Sequence, residues 1–380
     1  MLSSRLTVHS IAMRIKGFVL AVCLVTLTGC LAETTSDRIF IAHRGVNMRY
    51  VAAGENSQEA IRLAKRAGFK AIETDVRLTA DSVLVAMHDH SLRRTCLNLD
   101  GSRVDKSFKV ADFTMEQLKR DFVLRSPKQE MRTQIPTLEE YLKVCKEEDL
   151  LVFIEPKLKD TTGLHYLDIM ACADTIFGRG NYIITSNNFA NGVIRDSLGI
   201  TDVPLMGILY QTTYEDIALK PDVIMAISTS RFESDEYAAN VARSKADGLQ
   251  TESHADNFER FDMINNADID YVSTDFLAPD WNGQGKTLAL VKGKGMKKVQ
   301  KASETCAAMT AVPFGAIYLE MEFTGSANVE LADQKFPIAA EEVRKIRHQI
   351  LLSDMAPIFE LSEMSEDFVV KRITVRVVEF

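Results

Sequence analysis

The stretch Ala71–Val76 reads Ala-Ile-Glu-Thr-Asp-Val and is one of nine short apolar runs typical of buried strands between Arg38 and about Ala278. Helical patterns separate these runs. Regular alternation of strand and helix predicts a parallel sheet, and at this length a closed (β/α)₈ TIM barrel is the economical architecture. Since a barrel has eight strand places, we expect one run in the later half to lie outside it. The runs are Ile39–Ala42, Ala71–Val76, Val83–Met87, Leu150–Ile154, Tyr182–Thr185, Pro204–Leu209, Val223–Ile227, Gly248–Thr251 and Ile269–Ser273.

Residues 89–136 interrupt this alternation. They carry many charges, Gly101 and Pro127, but no clear strand–helix unit. A connection of that length in a compact domain is usually functional or disordered. We therefore predict an insertion after strand 3 that could cover the active site.

The pattern changes again after Gly283. Residues 317–323 and 372–377 alternate between apolar and polar side chains. Period two with one solvated face indicates antiparallel strands. We predict a barrel over residues 38–283 and a small β-rich accessory domain over residues 284–380.

The amino terminus carries a targeting signal. Two basic residues precede the uncharged run Gly17–Leu27, which is too short to span a bilayer but suits a secretory signal. The run ends in Leu-Thr-Gly-Cys, which resembles the bacterial lipobox. We expect residues 1–30 to form a lipoprotein signal peptide ending at lipidated Cys30, and residues 31–37 to form a tether. The alternative is a plain signal peptide with a chance cysteine.

This interpretation places the protein in the bacterial cell envelope, lipid-anchored at the outer membrane or facing the periplasm. The net charge of −8 argues against nucleic-acid binding, which requires a basic surface. The six cysteines include no CxxC pair, which argues against a zinc site.

Four successive strand candidates carry ionisable residues at or near their carboxyl ends. These are His43–Gly45 on the first, Glu73 and Asp75 on the second, His88–Asp89 on the third, and Glu155–Lys157 on the fourth. The carboxyl ends of the strands form the active-site face of a TIM barrel. Each motif alone suits a surface turn or a solvated strand, but their occurrence in order on four strands indicates a functional site.

Spacing within the strands indicates a cation. Residues two apart on a strand share a face, so Glu73 and Asp75 point the same way, as do Glu155 and Lys157. Three carboxylates converging in a barrel mouth repel one another unless a cation is present. Oxygen ligands suit Mg²⁺, Ca²⁺ or Mn²⁺. We predict one divalent cation, Mg²⁺ or Ca²⁺.

The remaining residues suit phosphoryl transfer. His43 and His88 have a side-chain pKa near neutrality and can transfer protons. Arg44 and Lys157 can bind phosphate oxygens. A cation, two phosphate-binding groups and two acid–base groups together favour a phosphodiesterase.

The sequence resembles the glycerophosphodiester phosphodiesterase family of phospholipase C-like barrels in six segments that occur in family order. The segments are residues 41–45, 55–57, 71–76, 87–89, 135–140 and 154–157. The resemblance covers roughly residues 38–279 and is dense only to 160, although Thr274–Phe276 resembles the family's closing strand. It implies metal-dependent hydrolysis of glycerophosphodiesters to sn-glycerol 3-phosphate and an alcohol. The implied roles are metal ligands for Glu73, Asp75 and Glu155, acid–base catalysis for His43 and His88, phosphate binding for Arg44 and Lys157, and hydrogen-bonding support from Glu55.

Several positions depart from the family pattern. Gly54, His90 and Pro156 replace common family residues, and Leu249–Ser253 replaces a strand that usually carries tryptophan. These departures leave the alcohol headgroup open. The expected partners are a glycerophosphodiester and, through the anchor, a membrane. Two alternatives are a phospholipase C or D-type enzyme acting on intact lipids, and a non-catalytic surface-binding lipoprotein.

Overall fold

The computed structural model describes most of the chain from Arg38 onward. The predicted signal peptide, Cys30 and the tether lie outside the described residues. The described residues are 38–47, 53–126, 129–158, 163–186, 194–209, 213–218, 223–275, 277, 279, 286–296, 314–331, 334–353, 359–362, 365, 367 and 369–379.

The first eleven strands of the chain are β1 Ile39–His43, β2 Ala71–Leu78, β3 Leu84–Ala86, β4 Cys96–Asn98, β5 Phe122–Leu124, β6 Leu151–Pro156, β7 Ile183–Ser186, β8 Leu205–Ile208, β9 Val223–Ala226, β10 Gln250–Ala255 and β11 Tyr271–Thr274. Eight of them are parallel and close a barrel in the order β1-β2-β6-β7-β8-β9-β10-β11, and β11 pairs with β1. At the closure, Ile39 lies opposite Tyr271. The predicted TIM barrel is therefore confirmed.

The surplus strand is β3, so the expectation that it lies in the later half is wrong. β3 pairs antiparallel with β2, with Val76 opposite Ala86. Residues 79–83 are too few for the crossover that a parallel neighbour requires, but they suffice for a hairpin. The third strand of the barrel itself is β6.

The insertion after β3 has its own small core. β4 and β5 form a two-stranded antiparallel sheet, and the helix Met115–Asp121 precedes β5. Apolar side chains from these two strands, the helix, β3 and the segment after β3 form a cluster separate from the barrel core. They include Val85, Met87, Leu92, Cys96, Leu118, Phe122 and Leu124.

Helices connect the barrel strands, and their apolar faces cover the outside of the sheet. Three of them have side-chain caps, in which Ser57, Thr137 and Asn257 accept hydrogen bonds from the backbone N–H groups of Ala60, Glu140 and Arg260, respectively. The helices of the barrel region are Gln58–Arg66, Leu138–Glu147, Leu164–Phe177, 194–197, Tyr214–Ala218, Ser234–Ala246 and Phe258–Asn265. A second apolar cluster, which includes Ile41, Phe153 and Met206, lies among the strands themselves.

The carboxyl-terminal region is built of antiparallel strands, as its alternating sequence predicted. Their order is β12-β16-β13-β14, and β15 pairs with β13. The boundary near Gly283 and the independence of this region stay predictions. The strands are β12 Lys286–Met296, β13 Phe314–Leu331, β14 Gln334–Ser353, β15 Phe359–Ser362 and β16 Val369–Glu379.

Among the described residues, no helix has both the length and the apolar character needed to cross a bilayer.

Candidate active site

A tight turn follows β1 and shapes one wall of the barrel mouth. Arg44 and Gly45 both adopt left-handed backbone conformations, with φ of 61° and 75°. Gly45 N donates to Ala42 O, and a Cβ on Gly45 would lie only 2.7 Å from the Cβ of Ala60. The His-Arg-Gly triplet thus contains the one residue type that this close approach permits.

Three buried carboxylates face one another at the mouth. Glu73 and Asp75 come from β2 and Glu155 from β6, where the strand register places Asp75 opposite Glu155. One oxygen from each lies within 4.8 Å of the others. Within the described residues, Glu73 Oε1 and Asp75 Oδ1 are buried without a hydrogen-bond partner. Buried oxygens without partners are costly, and an oxygen-binding cation would satisfy them.

The pKa values of these carboxyls reflect their crowding. Burial, together with the charge of Asp75, raises the pKa of Glu73 to about 8. Burial also raises the pKa of Glu155. Burial would raise the pKa of Asp75 as well, but the charges of Arg44 and Lys157 outweigh it and lower that pKa. The positive charges beside the cluster therefore do not offset the burial and mutual repulsion of Glu73 and Glu155. The all-oxygen donor set fits a hard divalent cation.

Two cations border the carboxylates. Arg44 Nε lies 3.2 Å from Asp75 Oδ2. Lys157 Nζ lies 2.5 Å from Glu155 Oε1 and 3.5 Å from Asp75 Oδ1. Asn56 Nδ2 donates a further hydrogen bond of 3.1 Å to Asp75 Oδ2. The predicted metal ligands and the predicted phosphate-binding residues are thus brought together.

His43 lies beside this cluster and is oriented by a residue to which the sequence analysis assigned no role. Its Nδ1 lies 2.7 Å from Asp275 Oδ1, and its Nε2 lies 3.8 Å from Glu73 Oε2. Burial would lower the pKa of His43, but Asp275 and Glu73 outweigh it and raise the value to about 9. Asp275 directly follows β11, so the rule applied to the first strands would have identified it.

His88 belongs to a second network. It follows β3 rather than a barrel strand, and its Nδ1 lies 2.7 Å from Asp89 Oδ1. Arg94 Nε donates to Asp89 Oδ2 at 2.7 Å, and the Arg94 guanidinium binds both oxygens of Glu55 at 2.6 and 2.7 Å. Glu55 Oε1 also lies 3.6 Å from Arg44. The predicted supporting residue Glu55 thus connects the wall that carries His88 with the wall that carries His43.

A cavity of about 300 Å³ opens between the charged residues and the later strands. Arg44, Glu73, Glu155 and Lys157 line one side, and His43 adjoins them. The described lining residues do not include His88. The opposite side is largely apolar and carries Thr185, Met206, Ile208 and Ala226 from β7, β8 and β9.

A further polar group on β10 was missed by the sequence analysis. His254 Nδ1 lies 3.0 Å from Ser273 Oγ, and Ser273 Oγ donates to Glu252 Oε1 at 2.5 Å. Burial, together with the charge of His43, lowers the pKa of His254 to about 4, and burial raises the pKa of Glu252 to about 7. Glu252 and His254 are two apart on one strand, the same spacing that identified Glu73 and Asp75.

Comparison with known proteins points in one direction. The family described as "Glycerophosphoryl diester phosphodiesterase family" matches residues 43–278. A glycerophosphodiester phosphodiesterase from Caldanaerobacter subterraneus subsp. tengcongensis is 31% identical over 176 residues, which cover 46% of this chain and 67% of that protein. Glycerophosphodiester phosphodiesterase 1 of Mus musculus is 35% identical over 127 residues, but the match covers only 34% of its length and 32% of this chain.

The fold also has a solved counterpart. A crystal structure of a glycerophosphodiester phosphodiesterase from Parabacteroides distasonis superposes with a TM-score of 0.50 at 20% identity. The superposition covers 63% of this chain and 93% of the other. At this identity the likeness concerns the fold.

Proposed function

The chain belongs to the glycerophosphoryl diester phosphodiesterase family, and from that premise we propose that it hydrolyses glycerophosphodiesters to sn-glycerol 3-phosphate and an alcohol. One observation carries the proposal. Glu73, Asp75 and Glu155 converge at the barrel mouth, and two of their buried oxygens lack hydrogen-bond partners among the described residues. Arg44 and Lys157 stand beside them.

The three carboxylates would hold one divalent cation, Mg²⁺ or Ca²⁺. When bound, the ion withdraws electron density from the phosphate and offsets the mutual repulsion of the carboxylates. The carboxylates would then depend less on Arg44 and Lys157 for charge balance. Both side chains line the cavity, where they can bind the nonbridging oxygens of a phosphodiester.

His43 and His88 would transfer the protons. Each has its Nδ1 against a carboxylate, Asp275 for His43 and Asp89 for His88. Such a partner fixes the ring orientation and leaves Nε2 to exchange a proton. One histidine takes the proton of the nucleophile, which is water or a substrate hydroxyl, and the other protonates the departing alcohol.

The direct test is turnover of glycerophosphocholine, glycerophosphoethanolamine and glycerophosphoinositol by the full chain. A chelator should abolish turnover, and added Mg²⁺ or Ca²⁺ should restore it. Glu73→Gln should weaken cation affinity, so that excess cation recovers part of the rate. Glu59→Gln is the matched control, because Glu59 forms a surface ion pair with Arg62. Undiminished turnover in the chelator would refute the cation's role, and preference for diacyl phospholipid vesicles would favour the phospholipase alternative.

We further propose that Cys30 anchors the protein to a membrane of the bacterial envelope. The support is the apolar run that ends in Leu-Thr-Gly-Cys. Acyl chains stabilise membrane binding by about 0.8 kcal/mol per buried CH₂. Cys30→Ser should release the protein from the membrane fraction or leave it unprocessed, whereas Cys23→Ser, within the same run, should not. A Cys30→Ser protein that is processed like the unmodified chain and still fractionates equally with membranes would contradict the anchor.

A further inference from the structure

We propose that His43, His254 and Asp275 form a second cation site at the barrel mouth, one that takes Zn²⁺ and so blocks His43. One ligand atom from each of the three residues lies within 4.8 Å of the others. The spacing of the cysteines argues against a zinc site, but the fold assembles this donor set from three separate strand ends. Zinc binding stands on geometry alone, whereas its effect on turnover rests on the proposed function.

The hydrogen bonds around His254 determine which ring nitrogen can bind a metal ion. Ser273 Oγ gives its proton to Glu252 Oε1, so towards His254 it can act only as an acceptor. His254 Nδ1 must therefore carry the proton in its 3.0 Å contact with Ser273 Oγ. In the neutral ring, Nε2 then holds the lone pair, and it lies 3.9 Å from Asp275 Oδ2. A metal-binding histidine is commonly fixed in this way, through a hydrogen bond from its other ring nitrogen.

The carboxylate of Asp275 lies between the imidazoles of His43 and His254. Its Oδ1 lies 2.7 Å from His43 Nδ1, and its Oδ2 faces His254 Nε2. The two rings meet edge to face with centroids 4.9 Å apart. Both histidines line the cavity, so an ion from solvent has access.

The donor set separates this site from the carboxylate cluster. Two imidazole nitrogens and one carboxylate form a ligand set of catalytic zinc, which keeps a fourth position open. Glu73, Asp75 and Glu155 offer only oxygens, which suit Mg²⁺ or Ca²⁺. The two clusters are therefore expected to take different ions at the same time.

Zinc at this site would stop proton transfer by His43. Binding through His43 Nδ1 replaces the proton now shared with Asp275, and that proton leaves to solvent. His43 Nε2 then carries the ring's remaining proton and has no lone pair with which to accept another. Mg²⁺ or Ca²⁺ should thus support turnover, whereas Zn²⁺ should inhibit it.

The test is zinc binding to the full chain by calorimetry with Mg²⁺ in excess, so that the carboxylate cluster is occupied. We expect one tight Zn²⁺ per chain. His254→Asn should weaken zinc binding by at least about 10-fold to 100-fold, because losing only an outer-shell partner of a metal ligand already costs that much. His165→Asn is the matched control, since His165 is an exposed histidine with Nδ1 3.4 Å from Asp168, and it should bind zinc like the unmodified chain. Glu73→Gln should weaken zinc binding much less than His254→Asn does, because Glu73 lies 3.8 Å from His43 Nε2 but is not a ligand of this site.

His254→Gln and a melting curve for each variant guard against loss of the fold. Unchanged zinc affinity in a folded His254→Asn or His254→Gln protein would overturn the site. So would a thiolate charge-transfer band in the spectrum of the Co²⁺-substituted chain, which would assign the ion to cysteine. If zinc binds as expected, half-inhibition of turnover should require at least about 10-fold more Zn²⁺ in His254→Asn. Calorimetry measures zinc binding without turnover. If the unmodified chain binds zinc but is inactive, and His254→Asn still weakens that binding, the proposed function is refuted and the zinc site is supported.

Discussion

The two halves of the barrel mouth differ in chemistry. β1, β2 and β6 contribute charged side chains, and Glu73 and Asp75 on β2 are buried at their centre. β7, β8 and β9 contribute Thr185, Met206 and Ala226, which form a largely apolar wall. The resemblance visible in the sequence is dense up to residue 160, which is the charged half. From this difference we infer that the charged half carries out the reaction, while the later half determines which alcohol is accepted.

The strongest test of this division is removal of the two histidines. His43→Ala or His88→Ala should lower kcat by about 10² to 10⁴-fold, the usual contribution of a general acid or base. The losses should not add in the double variant, because both groups serve one transition state. Stopped assays on glycerophosphocholine measure this, with His165→Asn as control.

A glycerophosphodiester of p-nitrophenol then separates the two roles. That leaving group departs without protonation, so the new substrate should rescue only the variant that lacks the acid. Near-normal turnover by both variants on a natural diester would show that the charged half is not the reaction centre.

A substitution at Glu252 tests the part of the barrel where β10 and β11 close against β1. Burial raises its pKa to about 7 in the fold, above its ordinary value of 4.5. The folded state therefore binds the proton more tightly, and the contribution of Glu252 to stability falls as pH rises from about 4.5 through 7. The glutamine of Glu252→Gln cannot ionise and can still accept the hydrogen bond from Ser273. The free energy of unfolding of this variant should therefore exceed that of the unmodified chain by on the order of 3 kcal/mol at pH 8. At pH 4.5 the two should be nearly equal.

Urea unfolding in a chelator at both pH values measures this difference. Glu59→Gln, at a partly exposed position, should show no comparable dependence. An advantage of Glu252→Gln that is the same at both pH values would mean that Glu252 does not titrate between them.

The positions of the barrel strands were predictable from the sequence, but the pairing between strands was only partly predictable. All nine apolar runs form strands, because each is short, apolar and bounded by turns. β3 was misplaced because periodicity reports burial and not pairing direction; the short connection over residues 79–83 carried that information. In β12 to β16, period two identified the strand type, whereas the order β12-β16-β13-β14 depends on contacts that no local pattern encodes.

The candidate site was predictable where functional side chains lie two residues apart, on one strand or at its carboxyl end. Glu73 with Asp75 and Glu155 with Lys157 were found in this way. Asp275 and His254 received no role because the same two rules were not applied to the last strands. Their contacts with His43 form only where the last strands close against β1. Arg94 was missed because its partners, Glu55 and Asp89, come from separate loops.

Substitutions of Arg94 test whether the insertion helps to position the catalytic side chains of the charged half. It binds Glu55 and Asp89 together, and Asp89 orients His88. Arg94→Ala should lower kcat about 10-fold and change KM little, because it should misplace a proton-transfer group without touching substrate. Arg94→Lys should recover little of the rate, since an ammonium cannot bind both carboxylates in the same fork.

Arg93→Ala is the matched control, because Arg93 binds Val104 O within the insertion. Steady-state kinetics over a range of pH would separate the variants. A rise in KM with unchanged kcat in Arg94→Ala would place Arg94 in substrate binding instead.

The smallest effect is expected from the apolar half, at Thr185. Its hydroxyl is buried at the cavity and, among the described residues, has no hydrogen-bond partner. A substrate hydroxyl or ester oxygen would satisfy it, and one neutral hydrogen bond contributes about 0.5 to 1.5 kcal/mol. Thr185→Val keeps the shape and should raise KM by roughly 2-fold to 10-fold at unchanged kcat, without loss of thermal stability. Thr185→Ser retains the hydroxyl and should keep KM near normal. A fall in kcat at constant KM for Thr185→Val would instead assign Thr185 to the reaction itself. It would contradict the inference that only the charged half carries the reaction.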